Sequence, residues 1–257
     1  MSFLKAEHIG HHYFSPSTFT PALDEISFSI KEGEFISLIG PSGCGKSTLL
    51  SILSGLIEPT FGTIAIDGHP PNALKNQIGY MLQQDYLFPW KTIEENVLLG
   101  LKLDGRLNRK TAANSIEFLE KIGLRGVEKQ FPRQLSGGMR QRAALARTMA
   151  VNPKLLLLDE PFSALDYQTK LKLENLVFDT LKSYRKTAVL VTHDIGEAIS
   201  MSDRIFLLSA SPGRIIKIFE VPEEFRILKP FDVRTHETFM ELFHVIWKEL
   251  ESLEPQQ

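Results

Sequence analysis

The sequence is poor in several features that would place it in a specialised class of proteins. It has a single cysteine, Cys44, in 257 residues, so no disulfide can form within the chain; such usage suits a reducing cytosol. No run of about 18 apolar residues occurs, so no membrane-spanning helix is expected. The first residues lack the basic and apolar regions of a signal peptide. If the protein works at a membrane, we expect a partner to hold it there.

The chain also lacks a strong net charge. The formal charge is −2, which provides no bulk electrostatic attraction to nucleic acid or to anionic lipid. Hydrophobic residues make up 43% and charged residues 23% of the chain, as in ordinary globular proteins. The length allows one large domain or two small ones.

Residues 40–47, Gly-Pro-Ser-Gly-Cys-Gly-Lys-Ser, match the phosphate-binding pattern G-x-x-x-x-G-K-[ST]. An apolar run precedes them and a helical pattern follows, which is the context that the pattern requires. Glycines let backbone N–H groups approach phosphate oxygens, and the helix start adds partial positive charge. We predict that Lys46 reaches the β- and γ-phosphates and that Ser47 holds Mg²⁺. The predicted nucleotide-binding residues here are Gly40, Pro41, Ser42, Gly43, Cys44, Gly45, Lys46, Ser47 and Thr48.

A second phosphate-chemistry element ends in two acids. Four leucines, residues 155–158, predict a buried strand that leads into Asp159 and Glu160. Asp159 is suited to hold Mg²⁺ through water, and Glu160 to orient or deprotonate the attacking water. This short pattern becomes informative because it follows the phosphate loop by just over a hundred residues.

Ser136, Gly137 and Gly138 have two interpretations. The structural one is a helix N-terminus with Ser136 as its cap. The functional one uses the same physics, because a hydroxyl, two glycine N–H groups and a helix dipole form an anion site. The chain then carries two phosphate-binding helix starts.

The pattern of hydrophobic residues predicts an α/β fold. Alternating segments at residues 26–30 and 62–68 indicate an antiparallel β layer. Residues 90–151 read as helical. Buried strands at 155–158, 187–192 and 204–208 then alternate with helices, which favours a parallel sheet. The prediction is a P-loop, RecA-like core with a parallel sheet, an antiparallel β layer and an inserted helical subdomain.

Three further features carry structural interpretations. The stripe Phe239, Leu242, Phe243, Ile246 and Leu250 predicts an amphipathic helix, opened by Thr235 as N-cap with Glu237 in its first turn. We expect the stripe to pack into the core, with a partner interface as the alternative.

The basic residues Lys102, Arg106, Arg109 and Lys110 indicate a solvated surface rather than a binding patch. We do not expect a metal at His8, His11 and His12.

Residues 135–142, Leu-Ser-Gly-Gly-Met-Arg-Gln-Arg, resemble the signature motif of the ATP-binding-cassette family, which no other P-loop class shares. By this resemblance Gln83 is the Q-loop glutamine that contacts Mg²⁺ and senses the γ-phosphate. His193 is similar to the switch histidine that contacts the γ-phosphate. Residues 163–166, which include Ala164 and Asp166, resemble the D-loop.

The resemblance to the family covers roughly residues 4–220. It includes an aromatic residue near the start of that range. Tyr13, ten residues before Leu23, resembles the side chain that stacks on adenine, and Phe14 is a less suited candidate. The resemblance implies that Lys46, Glu160 and His193 are catalytic, that Ser47, Gln83 and Asp159 serve the metal, and that the cofactors are ATP and Mg²⁺.

Two segments resemble importers of the nitrate, sulfonate and taurine group. Residues 87–90, Leu-Phe-Pro-Trp, are similar to the segment that follows the Q-loop in that group, and residues 212–215 to its Pro-Gly-Arg-Ile turn. After Val221 the sequence departs from the group, since residues 222–226 stand where a Pro-Arg pair is usual. The group imports small anions, and some relatives import thiamine precursors.

The resemblance implies the ATP-hydrolysing subunit of an importer, peripheral on the cytoplasmic face of the cell membrane. Its expected partners are a second copy in a head-to-tail, ATP-bridged pair, transmembrane permease subunits and, indirectly, an extracytoplasmic solute-binding protein, with no nucleic acid. We expect a nucleotide-binding domain over residues 1–230, with its helical subdomain at about 90–150, and a C-terminal helix and tail over 231–257.

Two other functions fit the motifs less well. A soluble cassette ATPase of translation or DNA repair would carry two cassettes or a long coiled coil, and this chain has neither. A P-loop small-molecule kinase would leave Ser136, Gly137, Gly138 and His193 without roles. Export instead of import stays open.

Overall fold

A six-stranded sheet forms the centre of the computed structural model, which describes residues 2–15, 18–163 and 165–253. The sheet order is β5-β6-β7-β3-β8-β9, and all neighbours are parallel except the β8–β9 pair. The nearly unbroken apolar runs fit strands that are covered on both faces. The strands are β3 (Phe35–Ile39), β5 (Ile78–Met81), β6 (Leu155–Asp159), β7 (Thr187–Val191), β8 (Arg204–Leu208) and β9 (Ile215–Glu220).

The predicted antiparallel layer is also present. It contains β1 (Ser2–Phe14), β2 (Phe19–Lys31) and β4 (Phe61–Ile66) in the order β2-β1-β4. Along β2 every second side chain from Ile26 to Ile30 is buried, as expected for a sheet with one face on the core. The helix α1 (Lys46–Leu53) packs between the two sheets, where Leu49, Leu50 and Leu53 join their shared hydrophobic cluster.

Three helices fill the segment that was predicted to be helical: α2 (Ile93–Leu103), α3 (Arg109–Lys121) and α4 (Gly137–Ala150). Local sequence sets their starts, because Thr92 with Glu95 and Asn108 with Thr111 form capping boxes. Gly123 follows α3 with a φ of 77°, a conformation that favours glycine after a helix end. These helices, with α5 (Tyr167–Ser183), cover one face of the central sheet.

The C-terminal segment packs on α6 (Ile195–Met201) and contains α7 (Glu223–Ile227), α8 (Pro230–Arg234) and α9 (Phe239–Glu251). Phe239 and Ile246 of the predicted stripe are buried there, so the stripe is core, as expected.

The predicted start of α9 was wrong. The N-cap is Thr238, and Thr235 instead ends α8, where its hydroxyl donates to the Asp232 carbonyl at 2.9 Å. Pro230 starts a separate short helix that takes up the residues before the turn. Glu237 therefore precedes the helix, and Glu241 is the acid in its first turn.

In the described ranges, no helix combines the length and apolarity needed to cross a bilayer. The predicted division at residue 230 stays a prediction, and the end of the predicted tail, residues 254–257, lies outside the described residues.

Candidate active site

Four parallel strands deliver most of the predicted site residues to one edge of the central sheet. The phosphate loop follows β3, Gln83 follows β5, Glu160 follows β6 and His193 follows β7. Because the carboxyl ends of parallel strands meet at the same edge, residues far apart in sequence come together there.

The phosphate loop depends on glycines at specific positions. Gly43 and Gly45 have φ values of 77° and 92°, in the left-handed region that favours glycine. A Cβ at Gly45 would also lie 2.7 Å from both the Ala22 carbonyl oxygen and the Leu23 side chain. The loop is therefore wrapped tightly against β2, with its backbone N–H groups at the start of α1.

Lys46 folds back over this loop. Its ammonium donates to the carbonyl oxygens of Gly40 and Pro41 at 2.7 and 2.9 Å, and the residue is largely buried. These partners are neutral, so they do not neutralise the lysine charge. A phosphate in the loop would supply the opposite charge, so the loop fits a nucleotide phosphate.

A cleft of about 550 Å³ opens over the loop. It is lined in part by residues predicted to bind or hydrolyse nucleotide: Tyr13, Gly40, Ser42, Gly43, Cys44, Gly45, Lys46, Ser47, Thr48, Glu160 and His193. Among the residues that the structure describes, the other predicted site residues do not line this cleft: Pro41, Gln83, Asp159, Asp166, Ser136, Gly137 and Gly138.

Asp159 lies at the floor of this edge, next to Ser47. One carboxylate oxygen accepts from the Ser47 hydroxyl at 3.3 Å, and the other accepts from the Tyr80 hydroxyl at 3.4 Å. Burial raises the pKa of Asp159, whereas both hydrogen bonds oppose that rise. Burial, together with the Asp159 charge, raises the pKa of Tyr80 to about 12. A hydroxyl and a carboxylate side by side fit Mg²⁺, which prefers oxygen ligands.

Glu160 is the point where three predicted residues meet. Its Oε2 accepts from the Gln83 amide at 2.9 Å and lies 3.5 Å from Nδ1 of His193. Its backbone has a φ of 46°, an uncommon conformation for a non-glycine residue, and its amide donates to the Val191 carbonyl at 2.9 Å. Together, the sharp turn after β6 and the neighbouring strand direct this carboxylate towards His193.

Tyr13 stands at the outer rim of the cleft. The tyrosine is 47% exposed, its hydroxyl lies 3.2 Å from that of Thr48, and the His11 ring packs edge-on against it at 4.7 Å. One face of the phenol is thus available for stacking.

The described residues contain no group of three or more His, Cys, Asp or Glu suited to a metal, at the histidines of β1 or elsewhere.

Ser136, Gly137 and Gly138 form the other predicted anion site. Ser136 is the N-cap of α4 and accepts from the Met139 amide at 3.3 Å, while Ser136 and Gly137 are exposed. In the D-loop, Asp166 caps α5 by accepting from the Thr169 amide at 3.1 Å. The Thr169 side chain and then its amide lower the pKa of Asp166. Ala164 lies outside the described residues.

Contacts between α4 and the segment after β5 were not anticipated from the sequence. Gln141 donates to the Gln83 carbonyl at 3.0 Å, and Arg140 pairs with Asp85 at 2.9 Å. Arg147 donates to the carbonyls of Asp85 and Tyr86, both at 2.7 Å. Tyr80 was missed as a partner of Asp159 as well. These residues stood inside or beside recognised motifs, but only the fold pairs them.

The fold and this site define a P-loop nucleotide-binding protein. The family model described as ABC transporter matches residues 23–163. The chain belongs to that family.

Two relatives extend the likeness over most of the chain. YtlC of Bacillus subtilis strain 168, an uncharacterized ABC transporter ATP-binding protein, is 62% identical and covers 100% of this chain and 99% of its own. The aliphatic sulfonates import ATP-binding protein SsuB of Bacillus licheniformis is 41% identical over 91% of this chain and 89% of its own.

A solved structure is similar in fold and in sequence. The ATP-binding cassette MJ0796, a dimer in a post-hydrolysis state bound to ADP and Pi, has a TM-score of 0.77 and 34% identity over 85% of this chain and 99% of that one. The chain is accordingly an ABC transporter ATPase, and the expected fold class is confirmed.

Proposed function

We propose that this ATPase powers an importer and that it works as a head-to-tail pair of identical chains. The observation that carries the proposal is the separation of two anion-binding helix starts. The phosphate loop, Glu160 and His193 line one cleft, whereas Ser136, Gly137 and Gly138 are absent from its described lining. A second copy, turned head to tail, would bring its own Ser136 helix start to the first chain's phosphates. The dimeric state of MJ0796 supports this arrangement.

Each residue at the sheet edge has a proposed task. Lys46 and the loop amides bind the phosphates of ATP, and Tyr13 stacks on the adenine. Ser47 and Asp159 would hold Mg²⁺, and the ion would neutralise phosphate charge. Gln83, whose amide donates to Glu160, is the third residue proposed to serve the metal. Glu160 orients and deprotonates the attacking water, and His193 stands next to it to contact the γ-phosphate. Asp166 and residues 136–138 act on the partner copy's nucleotide.

We propose that the permease docks beside the Q-loop. Trp90 is 70% exposed, which argues against the alternative of a core tryptophan, and its ring packs edge-on against Phe88 at 5.4 Å. Tyr86 is 58% exposed on the same segment. The protein would then sit at the cytoplasmic face of the membrane through its permease, and an extracytoplasmic protein would deliver the solute.

The proposed solute is a small organic anion of the sulfonate type. The support is the likeness to SsuB together with the Leu-Phe-Pro-Trp and Pro-Gly-Arg-Ile segments. Taurine, nitrate and thiamine precursors are the other candidates from the same resemblance.

The test couples the chain to its permease. Trp90→Ala should weaken the binding free energy for the permease by about 2 kcal/mol or more, as the loss of an aromatic anchor does, so less permease should co-purify. The ATPase activity of the isolated chain should survive. Trp247→Ala is a matched control, because Trp247, the other of the two tryptophans, is 49% exposed on α9.

Vesicles that hold permease and ATPase, supplied with the extracytoplasmic solute-binding protein, should then take up a sulfonate only with ATP and an intact Glu160. Loss of thermal stability in Trp90→Ala without loss of permease binding would contradict the docking site. An ATPase that binds no permease would favour the soluble, non-transport alternative.

A further inference from the structure

A cluster of buried and half-buried charges lies next to the segment that carries His193. The helix α5 contributes Lys170 and Glu174, the segment after β7 contributes Asp194 and Glu197, and α8 of the C-terminal segment contributes Arg234. Three separate parts of the chain therefore meet next to a residue of the ATPase site.

The cluster holds both neighbours of His193. The Lys170 ammonium donates to Asp194 at 2.6 Å and lies 2.5 Å from the Glu197 carboxylate. The other Glu197 oxygen accepts from the Thr192 hydroxyl, which itself accepts from the Asp194 amide at 3.0 Å. Since Thr192 and Asp194 flank His193, these contacts determine the path of the backbone that carries the imidazole.

Arg234 closes the cluster from the C-terminal side. One guanidinium nitrogen donates to both oxygens of Glu174, at 3.0 and 2.9 Å, and Glu174 is fully buried. A Cβ at Gly196 would lie 2.8 Å from Nη1 of Arg234. The guanidinium thus lies against the first turn of α6, where the glycine leaves room for it.

Arg234 offsets part of the negative charge in the cluster. Lys170 and Arg234 face three carboxylates, those of Glu174, Asp194 and Glu197. Burial raises the pKa of Glu174 to about 7, and the Arg234 charge works against this rise. Without the arginine, the buried Glu174 would lose the donor that both its oxygens accept from. Breaking a buried pair by removing one partner is costly, so we expect the segment around His193 to shift.

We propose that Arg234 is a positioning residue for His193 and that it connects the C-terminal segment to the ATPase site through Glu174 and Lys170. The inference rests on the proposed role of His193. Val233, Phe239 and Ile246 pack against Ile195 and Ile199 of α6, so the same segment grips the helix that follows His193 by apolar contacts. A partner that moves the C-terminal segment would then change the rate of hydrolysis without touching the nucleotide.

The test measures steady-state ATP hydrolysis and amide hydrogen exchange on the full chain. Arg234→Gln should lower kcat roughly tenfold, as small misplacements of a catalytic group do, and leave the KM for ATP within about twofold. The amides of Asp194 and Glu197 should exchange faster. Glu174→Gln/Arg234→Gln removes both members of the pair and restores the net charge of the wild-type cluster, and kcat should return to within about threefold of wild type. Arg226→Gln in α7 is the matched control and should leave kcat unchanged.

His193→Ala separates the two proposals. Normal kcat in folded Arg234→Gln, with His193→Ala inactive, would overturn the role of Arg234 alone. Normal turnover in His193→Ala would overturn the role of His193 and this inference with it. If Arg234→Gln does not fold, the same measurements on Arg234→Lys test the proposal. A lysine ammonium cannot both bind Glu174 and lie against Gly196. This variant should lose about threefold in kcat and exchange faster at Asp194; wild-type values for both would overturn the proposal.

Discussion

Two helix starts in this chain look alike in sequence and differ in what surrounds them. Both α1 and α4 begin at glycine-rich turns that suit an anion. The start of α1 lies at the carboxyl edge of the parallel sheet, where Asp159 is within hydrogen-bonding distance of Ser47 and Glu160 lines the same cleft. The start of α4 is exposed, and its serine caps the helix. One site thus has the groups proposed for hydrolysis, and the other has only those proposed to bind charge.

The difference shows where the chemistry in this fold comes from. A helix start can be encoded in a few consecutive residues, because its N–H groups and cap are local. A base, a metal site and a switch histidine require a sheet that collects the ends of several strands. The comparison predicts that the two helix starts respond differently to substitution.

The largest effect is expected at the first helix start. Lys46→Ala should lower kcat/KM for ATP hydrolysis by more than roughly 1,000-fold, because the phosphates lose a buried ammonium in both binding and reaction. Nucleotide binding by the isolated chain, measured by calorimetry, should weaken too. Lys110→Ala, at an exposed helix position, serves as the control. Normal turnover in the Lys46 variant would remove the basis for the phosphate-loop assignment.

The second prediction joins the two helix starts. Glu160→Gln should lower kcat by roughly 100- to 10,000-fold, the usual contribution of a general base, while keeping the shape of the side chain. With hydrolysis blocked, ATP should drive a shift from monomer to dimer, visible by light scattering. Adding Ser136→Arg should abolish the shift, because the arginine would block the second anion site.

One control variant accompanies this experiment. Glu120→Gln, on the exposed face of α3, should leave kcat and the mass unchanged. A Glu160→Gln chain that stays monomeric at saturating ATP in low salt would count against the shared site. If it also hydrolysed ATP normally, Glu160 would not be the base.

The smallest effect is expected from a residue that only orients the metal site. Tyr80→Phe removes one of the two hydrogen bonds to Asp159, and the remaining bond comes from Ser47. The Mg²⁺ concentration for half-maximal activity should rise about threefold, with kcat at saturating Mg²⁺ unchanged. Tyr86→Phe, at an exposed position, is the control. An unchanged Mg²⁺ requirement would show that Tyr80 does not orient Asp159.

The sequence identified elements whose signal is local. The phosphate loop, the leucine strand before Asp159 and the cap at Ser136 each occupy a few consecutive residues, and their structures follow from glycine φ angles, apolar runs and capping hydrogen bonds. The start of α9 shows the limit, since the sequence predicted Thr235 as its cap and the helix instead begins after Thr238. The turn after α8 decided between them.

The sequence by itself determined the kinds of residues that we propose to act on ATP and their order along the chain. Only the tertiary structure decided which of them touch. Gln83, Glu160 and His193 meet because β5, β6 and β7 are parallel and end at one edge. Arg234 reaches Glu174 because α8 packs on α5 and α6. Such pairs join residues far apart in sequence and depend on packing and burial, which no local pattern of residue types encodes.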